Sequence, residues 1–192
     1  MAKIIYVHGF KSSGESEKSK QLREAFPNHK VVAPNLSADP KQAVRQLHNI
    51  IATDPEATVI VGTSLGGFYA TYIACLYDIP AFVINPSLEP HISLSKQIGS
   101  HTRYGSGEPY EFRGEYVDEL KSLFDKLHSS EKESQNLHFY LADNDDVVTF
   151  DKLDSLFPNR AHVKTFSGAG HRFSRFKEIL PDIEQVLNKF KK

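Results

Sequence analysis

Runs of consecutive apolar, often β-branched residues recur along this chain at intervals too wide for hairpins. They lie at Ile4–Val7, Val31–Ala33, Thr58–Val61, Ala81–Ile84, Leu137–Leu141 and His162–Phe166. Several are apolar at successive rather than alternate positions, the pattern of strands covered on both faces. Between them the spacing turns helical. Asp39-Pro40 reads as an N-cap followed by proline at the first helical position, and Val44, Leu47, Ile50 and Ile51 then share one face. Val117, Leu120, Leu123, Phe124 and Leu127 repeat the stripe, and Ile183, Val186, Leu187 and Phe190 repeat it after Pro181. Each stripe reads as core-facing. Strands alternating with helices imply βαβ units, so the pattern predicts an α/β fold with a mostly parallel sheet of about six strands and helices on both faces.

One region breaks the rhythm. After Asn85-Pro86, about fifty residues pass before the next expected strand. This insertion, about 87–135, contains "IGSHTRYGSGEPYEFRG" (98–114), rich in glycine and aromatic residues. So long a segment inside a compact domain reads as a lid or binding loop.

Composition narrows the class. The 192 residues are 40% hydrophobic and 24% charged, a globular profile read as one domain over 1–192. A formal net charge of −1 gives no global field towards nucleic acid or an anionic membrane, and the terminal "KFKK" reads as a solvated tail. The single cysteine, Cys75, excludes an internal disulfide framework and a cysteine-only metal site. The N-terminus lacks the apolar core of a signal peptide, and no stretch has the length of a membrane span. A cytoplasmic protein is the expectation.

The candidate chemistry starts at "VGTSLGGF" (61–68). Gly62-Thr63-Ser64-Leu65-Gly66 fits G-x-S-x-G, with the apolar run "ATVIV" before it and a helix-compatible run after it. Such a turn reverses so sharply that flanking side chains would clash, and it exposes the serine above the carboxyl edge of the sheet. A phosphate loop is excluded because no lysine follows the second glycine. Ser64 is therefore the candidate nucleophile.

A serine nucleophile needs a base, an acid and oxyanion donors. Nine histidines make any one of them weak evidence. His171 stands apart because "FSGAGHRF" follows the last expected strand, and ligands gather at the carboxyl ends of strands in such sheets. His48 and His128 fall in helical patterns, His162 opens a strand, and His91 and His101 lie in the insertion, within possible reach of substrate. The acid should lie between serine and histidine in chain order. "LADNDDVV" supplies it after a strand. Asp145 has the best spacing, with Asp143 and Asp146 as alternatives. A calcium loop is disfavoured by Val147 at a ligand position. The backbone N–H of Leu65 is one oxyanion donor, and Phe10, in "YVHGF" after the first strand, offers the second. His8 then reads as a support for that loop.

Together "YVHGF", "VGTSLGGFYATY", "LADNDDVV" and "GAGH" resemble an α/β-hydrolase. With "HGFKSS", "FVINPSLEP" and "YGSGEPYEF" added, the chain is similar along nearly its whole length to the small bacterial esterase-like family of the YqiA type. The resemblance implies a sheet without the usual antiparallel first hairpin, so that Ile4–Val7 becomes a central strand. It also implies Ser64, Asp145 and His171 as the triad, with Phe10 and Leu65 as oxyanion donors. Ala142 and Asn144 depart from the glycine and shorter acid loop common in such hydrolases.

The activity expected is cleavage of small-molecule carboxylic esters or thioesters with small to medium acyl chains, with no cofactor and no metal. Tyr104, Tyr110 and Phe112 are the expected substrate-binding aromatics, joined by Phe68 and Tyr69 if those are not core. The insertion's aromatics could equally pack on a second subunit in a homodimer. Two further readings share the fold: a binding module with an idle triad, and an acyltransferase or lyase using the same triad.

Overall fold

A computed structural model describes residues 1–52, 56–129, 136–158 and 162–190. The end of the anticipated insertion, 130–135, and the last two residues of the basic tail lie outside the described residues. In chain order the strands are β1 (Lys3–Val7), β2 (Lys30–Val32), β3 (Thr58–Thr63), β4 (Ala81–Ile84), β5 (Gly99–Thr102), β6 (Pro109–Phe112), β7 (Leu137–Ala142) and β8 (His162–Phe166). The helices are α1 (Glu17–Ala25), α2 (Pro40–Ile51), α3 (Leu65–Tyr77), α4 (Pro90–Ser93), α5 (Gly114–Ser129), α6 (Leu153–Leu156) and α7 (Leu180–Lys189).

Six strands form one parallel sheet in the order β2-β1-β3-β4-β7-β8. As anticipated, β1 is internal, paired on both sides. Strand alternation divides the core between two faces. Ile5, Val7, Ile60, Val83 and Phe139 point to the side covered by α2, α3 and α5. Ile4, Tyr6, Val61, Phe82 and Tyr140 point to the side covered by α1 and α7. Because both faces are covered, central strands carry apolar residues at every position, the signal that located them. All strands being parallel, the loops after β1, β3, β4, β7 and β8 emerge at one edge, where the candidate residues lie.

Local rules account for the helix starts. Asp39 caps α2, its Oδ1 accepting the Gln42 N–H at 2.9 Å ahead of Pro40. Such a cap is worth about 1 kcal/mol. Ser16 and Ser19 form a reciprocal capping box at α1, a helix the apolar stripes did not reveal because only Ser19 and Leu22 of it are buried.

The segment expected to be a lid is folded. It comprises α4, an antiparallel two-stranded ribbon of β5 and β6, and α5, whose Leu120, Leu123 and Leu127 join the core. The ribbon was not anticipated, since β5 reads "GSHT" and carries no apolar alternation. Among the described residues no helix is long and apolar enough to cross a membrane.

Candidate active site

Ser64 stands between β3 and α3 with φ 54° and ψ −123°, a conformation costing a non-glycine residue about 1–3 kcal/mol. The surroundings enforce it. The Ser64 N–H donates to the Ile84 carbonyl at 3.0 Å, and its own carbonyl accepts the N–H groups of Gly67 at 2.9 Å and Ser87 at 3.1 Å. The two flanking glycines answer to close approach. A β-carbon on Gly62 would lie 2.2 Å from the Gly66 carbonyl oxygen, and one on Gly66 would lie 2.2 Å from that of Val7. The turn cannot close with larger residues there.

The structure brings Ser64, His171 and Asp145 into one hydrogen-bonded series, although 107 residues separate the serine from the histidine. His171 Nε2 is 3.2 Å from Ser64 Oγ, and Nδ1 is 2.8 Å and 3.0 Å from the two Asp145 oxygens. With Asp145 accepting, Nδ1 carries the proton and Nε2 is left free to accept from the serine hydroxyl. The Asp145 side chain is 1% exposed, and the His171 side chain 21% exposed. Asp145 Oδ1 also accepts the N–H groups of Val147 and Val148 at 2.8 Å and 3.0 Å, so the carboxylate is held on both sides.

The neighbouring acid-loop residues have other partners. Asp143 Oδ1 accepts the Gly168 N–H at 3.0 Å, a contact that lowers its carboxyl pKa. Asn144 Oδ1 accepts the Gly170 N–H at 2.8 Å. Gly168 and Gly170 have φ of 71° and 63°, left-handed backbone that favours glycine. Asp143 and Asn144 thus pin the loop that carries His171, which gives the unusual Asn144 a task. Asp146 is exposed.

The loop after β1 lies against the serine. A β-carbon on Gly9 would stand 3.8 Å from Ser64 Oγ. Among the described residues, neither the Phe10 nor the Leu65 N–H has a protein acceptor. His8 supports the loop from beneath: its Nε2 accepts the Leu36 N–H at 3.0 Å, leaving Nδ1 to donate to the Gly9 carbonyl at 2.9 Å. Burial pulls its pKa from 6.5 to about 4, aided by the nearby Arg103 cation, so the ring is neutral.

The ribbon clamps the same loop. The Phe10 ring meets His101, Tyr110 and Phe112 edge-on at centroid distances of 5.4, 5.4 and 5.2 Å. The Arg103 guanidinium donates to the Ser12 carbonyl at 2.6 Å and the Leu36 carbonyl at 2.8 Å, while the Tyr104 N–H donates to the Lys11 carbonyl at 2.7 Å. The expected substrate aromatics take different positions in the fold. Tyr110 and Phe112 are 6% and 1% exposed and belong to the core, where they hold Phe10. Phe68 and Tyr69 are core as well, each 3% exposed. Tyr104 is 59% exposed, with the Lys11 ammonium 5.5 Å from its ring centre. Sequence gave no sign of this, because aromatic residues at alternate ribbon positions suit a pocket wall and a buried face equally.

A cavity of about 240 Å³ lies away from the ribbon residues, lined by Leu88, Ile92, Val147 and Val148 with Ser87 and Thr149 among its polar groups. It borders the site directly, since Val147 and Val148 bind Asp145 and Ser87 binds Ser64. Among the described residues no group of three or more histidine, cysteine, aspartate or glutamate side chains is gathered as metal ligands would be.

The sequence model of UPF0227, an uncharacterised protein family, matches residues 3–188. The chain belongs to the UPF0227 family. Among its relatives, a UPF0227 protein of Pectobacterium atrosepticum is 28% identical over 180 residues, covering 87% of this chain and 99% of that one. The UPF0227 protein YcfP of Salmonella gallinarum is 27% identical over 179 residues, with the same coverage.

Solved structures similar to this UPF0227 protein are α/β-hydrolases. A putative hydrolase from Agrobacterium vitis superposes with TM-score 0.75 at 14% identity, covering 97% of this chain and 88% of that one. Est1E from Butyrivibrio proteoclasticus, with ferulic acid bound, gives TM-score 0.71 at 13% identity, covering 100% and 90%. Alpha/beta hydrolase domain-containing protein 10 from mouse gives 0.72 at 16%, covering 98% and 90%. At such identities the likeness is one of fold, and it establishes the α/β-hydrolase fold for this chain.

Proposed function

We propose that this UPF0227 protein is a serine hydrolase cleaving carboxylic esters or thioesters of small to medium acyl chains through an acyl-enzyme on Ser64. The unbroken series from Ser64 Oγ through His171 to the buried Asp145 carries this reading. Its setting, at the carboxyl edge of an α/β-hydrolase sheet beside two uncommitted backbone N–H groups, supports it.

His171 Nε2 removes the serine proton as Oγ attacks the carbonyl carbon. Asp145 holds the imidazole in the required tautomer and stabilises the imidazolium. The tetrahedral oxyanion takes the N–H groups of Phe10 and Leu65, each worth about 3 kcal/mol of barrier by analogy with measured donors. His171 then returns the proton to the departing alcohol or thiol as the carbon–oxygen or carbon–sulfur bond breaks. A water, deprotonated by His171, attacks the acyl-enzyme and frees the acid.

The cavity beside Val147 and Ile92 is the acyl subsite of this reading. Its volume of about 240 Å³ falls below the roughly 300–1,000 Å³ of sites for drug-sized ligands, which favours small acyl groups.

The test is labelling with a fluorophosphonate, read by intact mass. Wild type should gain one adduct, Ser64→Ala none, and His171→Ala an adduct formed far more slowly. No adduct on folded wild type would overturn the reading.

A further inference from the structure

Asn85 stands in "FVINPSLEP", where β4 gives way to the insertion. It follows β4 with φ 40°, a left-handed conformation that asparagine tolerates better than most side chains. It is 1% exposed, so its amide must find partners within the protein.

Those partners belong to the loops of the acid and the base. Asn85 Oδ1 accepts the N–H of Ala142, the last residue of β7 before the acid loop, at 2.8 Å. Nδ2 donates to the carbonyls of Gly170 at 2.9 Å and of His171 itself at 3.1 Å. The orientation of the amide is unambiguous, since a backbone N–H can only donate and the two carbonyls can only accept. Neighbouring residues reach the nucleophile, with Ile84 accepting from the Ser64 N–H and Ser87 donating to the Ser64 carbonyl. Four consecutive residues, Ile84 to Ser87, therefore touch the loops of serine, acid and base together.

Few side chains could do this. Aspartate would accept from Ala142 but set an oxygen against two carbonyls. Serine is too short to reach both loops. The margin at the reacting atoms is also small: Nε2 to Oγ is 3.2 Å, at the long end of the hydrogen-bond range, so a shift of a few tenths of an ångström would break it.

We propose that Asn85 is a positioning residue, whose one amide ties the Ala142 end of the acid loop to the Gly170 and His171 carbonyls and so sets His171 against both Ser64 and Asp145. This rests on the serine hydrolase reading above. It adds a fourth side chain to the arrangement, one that touches neither substrate nor the reacting atoms. The His171 ring has Asp145 and Ser64 as its hydrogen-bond partners; its own loop carries the cations Arg172 and Arg175, and α1 beside it carries Lys18, which donates to the Arg172 carbonyl at 2.6 Å.

Two variants test it. Asn85→Asp keeps the shape, the positive φ and the acceptor for Ala142, and loses both donors. Asn85→Gly keeps the positive φ and loses the side chain. Fluorophosphonate labelling rates would be measured from about pH 5 to pH 9, beside thermal unfolding. Folded variants should label about 10- to 100-fold more slowly at the plateau, the scale expected of a misplaced catalytic group. In Asn85→Asp the half-maximal pH should also move upward, drawn by the new carboxylate. A purely structural asparagine would lower the unfolding temperature and leave the rate and half-maximal pH of the folded protein as in wild type, and that result would overturn the proposal. Wild type without an adduct would instead overturn the hydrolase reading. Should neither variant fold, wild type decides by NMR. The Asn85 side-chain amide signal should shift when Ser64 carries the fluorophosphonate, and a signal that ignores the adduct would overturn the proposal.

Discussion

Gly9 lies against Ser64, so close that a β-carbon at position 9 would stand 3.2 Å from the serine Cβ and 3.3 Å from the Thr63 carbonyl oxygen. Neither neighbour can yield easily, for both belong to the tight turn after β3. In Gly9→Ala the loop after β1 must therefore retreat by a few tenths of an ångström and carry the Phe10 N–H with it. Complete loss of one oxyanion donor costs about 10²–10³ in kcat. Partial misplacement should lower kcat towards p-nitrophenyl acetate by about ten- to a hundredfold, with KM little changed. Unaltered kcat in a folded variant would remove Phe10 from the oxyanion site.

The three aspartates of the acid loop should separate sharply. Asp145 faces His171 and its side chain is buried, so Asp145→Asn should leave the imidazole in the wrong tautomer and lower kcat on the order of 10⁴-fold, as in the serine protease triad. Asp143 holds the Gly168 N–H and has Ser167 beside it, and its side chain is exposed to water. Asparagine keeps an oxygen that can accept the same N–H, and the charge lost is exposed to water, so Asp143→Asn should remain within about tenfold of wild type. Steady-state hydrolysis of the same ester ranks them. A larger loss at Asp143 than at Asp145 would reassign the acid.

His8 ties stability to pH. Its folded pKa of about 4 lies below the unfolded 6.5, so between those values the unfolded chain binds more protons and stability rises with pH. The contribution is complete above pH 6.5 and is lost as pH falls towards 4. A shift of this size corresponds to about 3 kcal/mol, undiluted by solvent because the residue is 5% exposed. Urea unfolding of wild type and His8→Gln at pH 7 and pH 4.5 would isolate it from the carboxylates that titrate in both. Wild type should lose more stability than the variant on acidification. Equal losses would mean that His8 is not the neutral, buried group described.

The legibility of this molecule follows from what each part depends on. Central strands were readable because burial on both faces writes an unbroken apolar run, as in β3 and β4. Ser64 and His171 were readable because a sharp turn demands glycines at fixed spacing. The proposed acid, Asp145, was favoured by spacing over Asp143 and Asp146, and what separates the three in the fold is the loop each faces. Helix α1 was missed because its cap is a pair of serines and its buried face is little more than Leu22. Asn85 and Arg103 escaped because their partners lie in distant segments. Asn85 reaches residues 57 and 85 positions away, and no local periodicity records such a contact.

The acyl subsite can be located by setting two substitutions against each other. Phe112 is 1% exposed and packs edge-on against Phe10 and Tyr116. Phe112→Ala should destabilise the fold by about 3–5 kcal/mol, the range for emptying a buried phenylalanine site, and leave acyl preference unchanged. Val147 is 63% exposed at the cavity wall beside the acid loop, so Val147→Trp should cost little stability while filling the space in front of Ile92 and Leu88. Each methylene denied burial forfeits about 0.8 kcal/mol, roughly fourfold in kcat/KM. Across p-nitrophenyl acetate, butyrate and hexanoate, Val147→Trp should therefore lower the hexanoate-to-acetate ratio at least about tenfold while acetate turnover persists. If Phe112→Ala moved that ratio and Val147→Trp did not, the acyl chain would lie against the ribbon instead, and Tyr110 and Phe112 would have the substrate-binding role their sequence suggested.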